Sequence, residues 1–524
     1  MLAFAFMVLM AGPAQATDFD VVVVPGFTVG DLDAVADRGA VGLMNPGAGP
    51  ETSGALARAS LVRGEVRNSL RGGAPAGEPL IEIGQRGNRS GPFLAPGIYV
   101  GLPAGELQPN DTRYPILVIG PGYEGLLTSD STRIPGLVSI ADVAPTALGR
   151  EDALGSERAD DAVTELRDLN ARINDNNTVR LPATIVVCAL VLVLVFLAPA
   201  AAVPGFAAAL LANLALGLAG VSGFWAVVTA FVLAVALGGP LLARLLRPPL
   251  ALGLFLAAVL AAYLVALGLD GPSVALSPFG PTQNSRYFGL SNLLETMLLV
   301  PALAGAALLF AALSWAAFAG TALLAFVTVA GNRFGADGGG AIVFAAGFAV
   351  LAVLLAGGGR RALAVAVGAS LALALGLIGL DAATGGSSHV TSALEDGPVG
   401  LGGDLVERVE LSWERATSSV WAAIAVVVLL AAFVWLLLRL LRPPEPLADL
   451  AVPLSLAAAL AVSLLVNDSP TDVLLVGTTG LAAATAGMLR APWPGSPRSS
   501  SLSPFWSPSQ GAAGPRTLRR RPRP

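Results

Sequence analysis

The sequence predicts an α-helical polytopic membrane bundle of about eleven spans preceded by a small α/β domain, and three observations lead to this fold class. Apolar segments of about 20 residues, the length that crosses a bilayer as a helix, follow one another from residue 181 to residue 490. Residues 17–180 have the mixed composition of a soluble domain. Charged residues make up only 13% of the chain, against roughly 25% in soluble domains.

Residues 1–16 have the pattern of a signal peptide. An apolar core of about ten residues is followed by Ala14, Gln15 and Ala16, which match the small-x-small pattern of a cleavage site. No basic residue precedes the core, so a short N-terminal membrane anchor is the alternative interpretation. With either interpretation, we expect the residues that follow to be exported.

Residues 17–150 predict a small α/β domain. Residues 19–24 are rich in Val, as buried parallel strands are, and Pro25 and Gly26 end this first strand. Four other segments are interpreted from composition: a helix start at 31–36, strands at 114–119 and 136–140, and a Gly- and Pro-rich loop at 72–101. Alternating strands and helices of this kind are typical of a mixed α/β fold.

Two segments of this domain resemble the alkaline-phosphatase superfamily. They read GLMNPGAGPETS at residues 42–53 and GLLTSDSTRIPGLVSIADVAPTAL at residues 125–148. The second is similar to a run near the end of sulfatase and phosphoglycerate-mutase-like domains. The resemblance implies a reduced version of that fold. It also implies a Ser or Thr nucleophile beside two divalent metals in active members, and Thr52 or Ser53 lies near the nucleophile's place in the sequence.

The metal ligands of that superfamily have no counterpart at the matching positions. Pro25 and Gly26 stand where an Asp-Gly pair is usual, and Gly-Pro-Gly at 120–122 stands where an Asp-His pair is usual. A hydroxyl without a metal or base beside it has no means of activation. We therefore predict a non-catalytic domain with no catalytic residue, no metal site and no cofactor, in which Thr52 and Ser53 are ordinary loop hydroxyls.

Residues 151–180 and the segments after them complete the predicted architecture. Apolar residues at a three-four spacing predict a juxtamembrane helix in 151–180 that ends at the Asn-rich residues 174–177, with a solvated linker as the alternative. The tail, residues 491–524, is basic and disordered by composition. The predicted spans lie at 181–200, 206–221, 223–243, 250–269, 294–313, 315–331, 340–357, 361–380, 419–440, 447–466 and 472–490.

The Arg residues favour one orientation in a bacterial plasma membrane. With residues 17–180 extracytoplasmic, the loops predicted to be cytoplasmic carry Arg244, Arg247, Arg360, Arg361, Arg439 and Arg442. The acidic residues then fall in the outer loops, and the tail is cytoplasmic. Excess Arg in cytoplasmic loops is the positive-inside rule, and it agrees with the signal peptide and with an odd number of spans.

Polar residues gather in four of the loops predicted to be outside, while the spans hold almost no ionisable residue. Each loop has a plainer interpretation as a turn or a helix cap. Because a charge near the bilayer is costly unless it is paired or hydrated, we expect the loops to share one wet cavity, with Arg286 paired to Asp337 or Asp468. The candidate ligand-binding residues are Arg286, Asn292, Glu295, Asp337, Asp381, His389, Asn467 and Asp468.

Three of these loop segments, RYFGLSN, GADGGG and NDS, are similar to segments of a group of uncharacterised bacterial polytopic proteins with the same degenerate front domain. The resemblance implies an acid directly after the Asn of the first segment. Here Leu293 takes that place and Glu295 comes two residues later. The resemblance implies membership of the group but no activity.

These observations lead to one expected function and two alternatives. We expect a cell-envelope membrane protein whose polar site faces outward and binds an amphiphilic ligand, either a membrane lipid or a lipid-linked envelope precursor. The alternatives are an outer-leaflet transferase of a phospho-group or sugar, and a transporter of a lipid-linked substrate. The net charge of -5 argues against a nucleic-acid partner.

Overall fold

A computed structural model describes most of the chain between residues 19 and 490. The described residues are 19–67, 69–70, 79–85, 95–149, 153–282, 287–331, 333–335, 338–358, 361–362, 365, 368, 410, 412–440, 442, 450–467 and 469–490. The predicted signal peptide, nearly all of the predicted span at 361–380 and the tail lie outside the described residues.

The front domain, residues 19–157, is built on one mixed β-sheet. Its spatial order is β10-β8-β2-β7-β5-β1-β4, with β9 also paired to β2. A separate pair joins β3 (Glu51–Thr52) and β6 (Gln108–Pro109). The eight strands of the main sheet are β1 (Val21–Val23), β2 (Ala40–Asn45), β4 (Ile83–Gln85), β5 (Gly97–Val100), β7 (Tyr114–Ile119), β8 (Gly125–Ser129), β9 (Leu137–Ser139) and β10 (Leu154–Glu157).

The sheet is buried on both faces because its side chains alternate between two cores. In β7, Ile116 and Val118 face helices α1 (Gly54–Arg63) and α2 (Val143–Ala147). Leu117, between them, faces the opposite core, which α3 completes together with Ala275, Leu276 and Tyr287. A strand buried on both faces needs apolar residues at every position, which explains the continuous apolar runs of β1 and β7.

Several segments of the front domain depart from the sequence prediction. The strands at 19–24, 114–119 and 136–140 are confirmed as β1, β7 and β9, and β7 has the predicted bounds. The prediction of a loop throughout 72–101 is wrong, because β5 lies between β1 and β7 in the sheet. The helix expected at 31–36 is a 3-10 helix, Val29–Ala34.

The longest helix, α3 (Ala162–Leu197), joins the front domain to the bundle. Its 36 residues span about 54 Å at 1.5 Å per residue. The prediction that the Asn-rich residues end a helix is wrong, since α3 runs through them. Their side chains bind other parts of the chain instead: Asn174 accepts a hydrogen bond from Arg113, and Asn176 Nδ2 donates to the Leu276 carbonyl at 2.7 Å.

The bundle consists of helices at most of the predicted span positions. Among the described residues, six helices are long and apolar enough to cross a membrane and three shorter helices are apolar, so the count of about eleven spans stays a prediction. After α3 the helices are α4 (Ala202–Leu218), α5 (Phe224–Leu233), α6 (Gly239–Leu245), α7 (Pro249–Ala275), α8 (Asn292–Ala312), α9 (Trp315–Ala330), α10 (Gly338–Leu355), α11 (Val420–Leu440), α12 (Ala451–Val466) and α13 (Pro470–Arg490).

Helix α8 lies at the centre of the bundle, almost wholly buried. It packs against α4, α7, α9, α10, α12 and α13. Small residues allow the close approach to α7: a side chain at Gly305 would meet Leu256, and one at Gly253 would meet Leu309. Close packing through small residues is the usual way that membrane helices associate. The polar side chains of Glu295 and Thr296 on α8 are therefore held inside protein.

Candidate functional site

Asn292 and Glu295 lie in the first turn of α8, at the end of the bundle that carries the front domain. Ser291 caps this helix: its Oγ accepts a hydrogen bond from Leu294 N at 3.1 Å and donates to the Phe279 carbonyl at 2.6 Å. The Glu295 side chain is fully buried, with 0% of its surface exposed. An acid in the first turn is favoured by the positive end of the helix dipole.

Asn467, at the end of α12, reaches this carboxylate. Its Nδ2 atom donates to Glu295 Oε2 at 3.3 Å and to Ser463 Oγ at 2.9 Å. Asn467 is 2% exposed, and its carbonyl accepts a hydrogen bond from Ser412 Oγ at 3.0 Å. Two residues that lie 172 positions apart in the chain therefore form a buried polar pair.

Ser469, just before α13, brings in two further groups. Its Oγ atom accepts from Asn292 Nδ2 at 3.3 Å and from Arg415 Nη1 at 3.1 Å. Arg415 lies in the helical residues 412–417, which precede α11. Asn292 and Glu295 bring these two hydrogen-bonded groups together in the first turn of α8. We call the two groups the polar cluster: Asn292, Glu295, Ser412, Arg415, Ser463, Asn467 and Ser469.

The first turn of α10 also packs against the cluster. A Cβ atom on Gly340 would lie 2.9 Å from Glu295 Cδ and 2.6 Å from Val329 Cγ1, so only glycine fits here without a shift of its neighbours. Residues 333–335 form a turn and α10 begins at Gly338, which agrees with the plainer interpretation of this loop as a turn that leads into a helix. Three of the four predicted polar loops thus meet at this end of the bundle.

Three of the eight candidate residues belong to the polar cluster: Asn292, Glu295 and Asn467. The other five, Arg286, Asp337, Asp381, His389 and Asp468, lie outside the described residues. Glu295 and Asn467 do not line the wet cavity that the sequence predicts, because both side chains are buried in protein. Sequence reasoning missed Ser412, Arg415, Ser463 and Ser469; a Ser one helical turn before Asn467 was the available signal for Ser463.

The cluster combines groups with complementary hydrogen-bonding capacity. A carboxylate only accepts, a guanidinium only donates, and amides and hydroxyls do both. Such a set can recognise a polar head group that carries hydroxyl, amine or phosphate functions. Among the described residues, no three His, Cys, Asp or Glu side chains lie close enough to hold a metal ion.

In the front domain, the residues near the expected nucleophile position have structural roles. Ser53 is the N-cap of α1, where its Oγ accepts from Leu56 N at 3.2 Å, and Thr52 belongs to β3. In the segment at residues 125–148, Asp142 accepts hydrogen bonds from Ser129 and from Ser131 Oγ, the latter at 2.6 Å. Burial raises the pKa of the Asp142 carboxyl, and the Ser129 and Ser131 hydrogen bonds lower it.

No family model matches this chain, and neither a curated protein nor a solved structure is significantly similar to it. The proposed function therefore rests on the geometry of the chain itself.

Proposed function

We propose that this is an integral membrane protein of the bacterial cell envelope that binds the polar head group of an amphiphilic or lipid-linked ligand at the polar cluster. The observation that carries the proposal is the buried hydrogen bond between Asn467 and Glu295. The front domain is a non-catalytic module that docks on the same end of the bundle.

The cost of burying these groups supports a functional role. Removing a carboxylate from water costs several kcal/mol unless hydrogen bonds or charges compensate for it. Apolar residues of similar size usually give equal or greater stability than a buried polar network. An ionisable residue inside a membrane bundle is for this reason a marker of ligand or ion binding.

The position of the cluster along α8 favours a head group as ligand. From Asn292 to Glu295 the helix rises only about 4.5 Å, at 1.5 Å per residue. The hydrocarbon core of a bilayer is about 30 Å thick, so the first turn of a spanning helix lies near the head-group level. With α8 as a spanning helix, Glu295 lies at the depth of the lipid head groups rather than at the midplane, which supports a head group as the ligand.

The location proposed for the protein is the plasma membrane, with the front domain extracytoplasmic and the C-terminus cytoplasmic. The distribution of Arg between the two sets of loops supports this orientation. Reporter fusions after Arg180 and after Arg490 test it, and we expect the first to report the outside and the second the cytoplasm. The reverse pattern would contradict the orientation.

Two serines of α12 provide a matched test of ligand binding. Ser463 accepts a hydrogen bond from Asn467, whereas Ser455 donates to the Val452 carbonyl of its own helix and to no other described residue, and both are fully buried. We expect Ser463→Ala to lose most of a co-purified amphiphile, measured by native mass spectrometry of protein released from detergent. Ser455→Ala should keep wild-type occupancy. Wild-type protein without any bound amphiphile, or equal loss in the two variants, would contradict the proposal.

A further inference from the structure

We propose that the front domain holds the start of α8 in place, with Arg113 as the positioning residue, and so sets the geometry of the polar cluster. This regulatory role rests on the proposed function, because it concerns the same ligand site. It would make ligand binding in the bundle responsive to whatever the front domain contacts outside the membrane.

Arg113 is a buried cation between the front domain and the bundle. It lies just before β7 and is 3% exposed. Its Nε atom donates to Asn170 Oδ1 at 2.7 Å, and a second guanidinium nitrogen donates to Asn174 on the same face of α3. It also hydrogen-bonds to Tyr287, in the segment that leads into α8. A planar guanidinium with five N–H donors suits such a three-way contact.

Tyr287 and its neighbour Phe288 fix this segment against the front domain. Tyr287 belongs to the core that Val22, Leu117 and α3 share. Burial raises the pKa of the Tyr287 hydroxyl to about 12, although the charge and hydrogen bond of Arg113 lower it. The Arg133 guanidinium lies over the Phe288 ring, 4.1 Å from its centroid, as a cation–π pair. Two arginines of the front domain thus contact consecutive residues of the segment.

The contacts continue without a gap from Phe288 to the cluster. Gly289 has a φ of 77°, and a side chain there would meet the Gly335 carbonyl at 2.1 Å. Leu290 N donates to that same carbonyl at 3.2 Å, and Ser291 then caps α8. Because Gly289 and Leu290 lie directly against the Gly335 backbone, we expect a displacement of Tyr287 to shift the first turn of α8.

A second arginine supplies a matched control. Arg167 of α3 forms an ion pair with Asp33 of the front domain, so it too joins α3 to that domain. Its side chain is 48% exposed and that of Asp33 is 54% exposed. Exposed pairs contribute little to stability, and this one does not involve the segment before α8.

The test is hydrogen exchange of the full chain in lipid nanodiscs. We expect Arg113→Met to speed exchange at least ten-fold in peptides covering residues 287–298, and Arg167→Met to leave them at the wild-type rate. Tyr287→Phe keeps the ring and removes the hydroxyl, and it should raise exchange in that segment only. Arg113→Met combined with Tyr287→Phe should exchange no faster there than Arg113→Met alone, because the two changes break one contact.

Unchanged exchange at 287–298 in both Arg113→Met and Tyr287→Phe would overturn the proposal. The proposal would also be overturned if Tyr287→Phe raised the exchange rate equally across β7 and the whole front domain. The readout needs no ligand, so it separates this inference from the proposed function. A wild-type protein that binds no amphiphile refutes the function alone, whereas unchanged exchange beside normal ligand occupancy refutes the positioning role alone.

Discussion

Replacing Glu295 with Gln should reduce ligand occupancy at least ten-fold while the protein stays folded. Gln has nearly the same shape as Glu and keeps an oxygen that can accept a hydrogen bond from Asn467 Nδ2. In the wild-type protein this nitrogen lies 3.3 Å from Glu295 Oε2. Gln cannot ionise, and hydrogen bonds to an ionised acceptor are about twice as strong as those to a neutral one. A ten-fold loss corresponds to about 1.4 kcal/mol of binding free energy.

Two measurements check this expectation for Glu295→Gln. Native mass spectrometry gives the fraction of protein that carries the amphiphile, and thermal unfolding in the same detergent reports the fold. Wild-type occupancy in Glu295→Gln would show that the carboxylate charge takes no part in binding. Ser455→Ala serves again as the control, because the described hydrogen bond of the Ser455 hydroxyl lies within α12.

Replacing Gly340 with Val should disrupt the cluster through overpacking. Even the Cβ atom would lie 2.6 Å from Val329 Cγ1 and 2.9 Å from Glu295 Cδ, far inside normal contact distances. Overpacking of a well-packed core costs about 1–3 kcal/mol, and here α10 would have to move away from α8. We expect both a lower unfolding temperature and loss of the bound amphiphile.

Gly320 of α9 offers the control for this change. A Cβ atom there would meet nothing within 4 Å. Gly320→Ala should therefore leave ligand occupancy unchanged and stabilise the protein slightly, since Ala is favoured over Gly in helices by about 1 kcal/mol. If Gly340→Val unfolds at the wild-type temperature and keeps its ligand, Gly340 is not packed against Glu295 as described.

The helices of the bundle were predictable because length and apolar composition are local properties of the sequence. The same holds for β7, whose continuous apolar run fixes its bounds. The short strand β5 was not predictable from the sequence, because Gly and Pro residues surround it and its place in the sheet depends on β1 and β7. The continuation of α3 through Asn174 and Asn176 depends on partners at Arg113 and Leu276, which propensity cannot reveal.

The candidate site was predictable in its residue types but not in its pairing. Asn292, Glu295 and Asn467 stand out as polar residues beside apolar spans. The sequence does not show that Asn467 meets Glu295, because that contact joins α8 and α12 across 172 positions. Ser412 and Arg415 were missed for the same reason: their partners Asn467 and Ser469 are more than 50 residues away, at separations of 55 and 54.

The most direct test of head-group binding is an experimental structure of the full chain in nanodiscs made from lipid of its own membrane. At a resolution that shows the side chains of Glu295 and Asn467, we expect non-protein density from an amphiphile within hydrogen-bond distance of Asn292, Glu295 or Arg415. Its acyl portion should lie along the bundle. A cluster whose groups bond only to one another, with every lipid head group elsewhere, would contradict the proposed function.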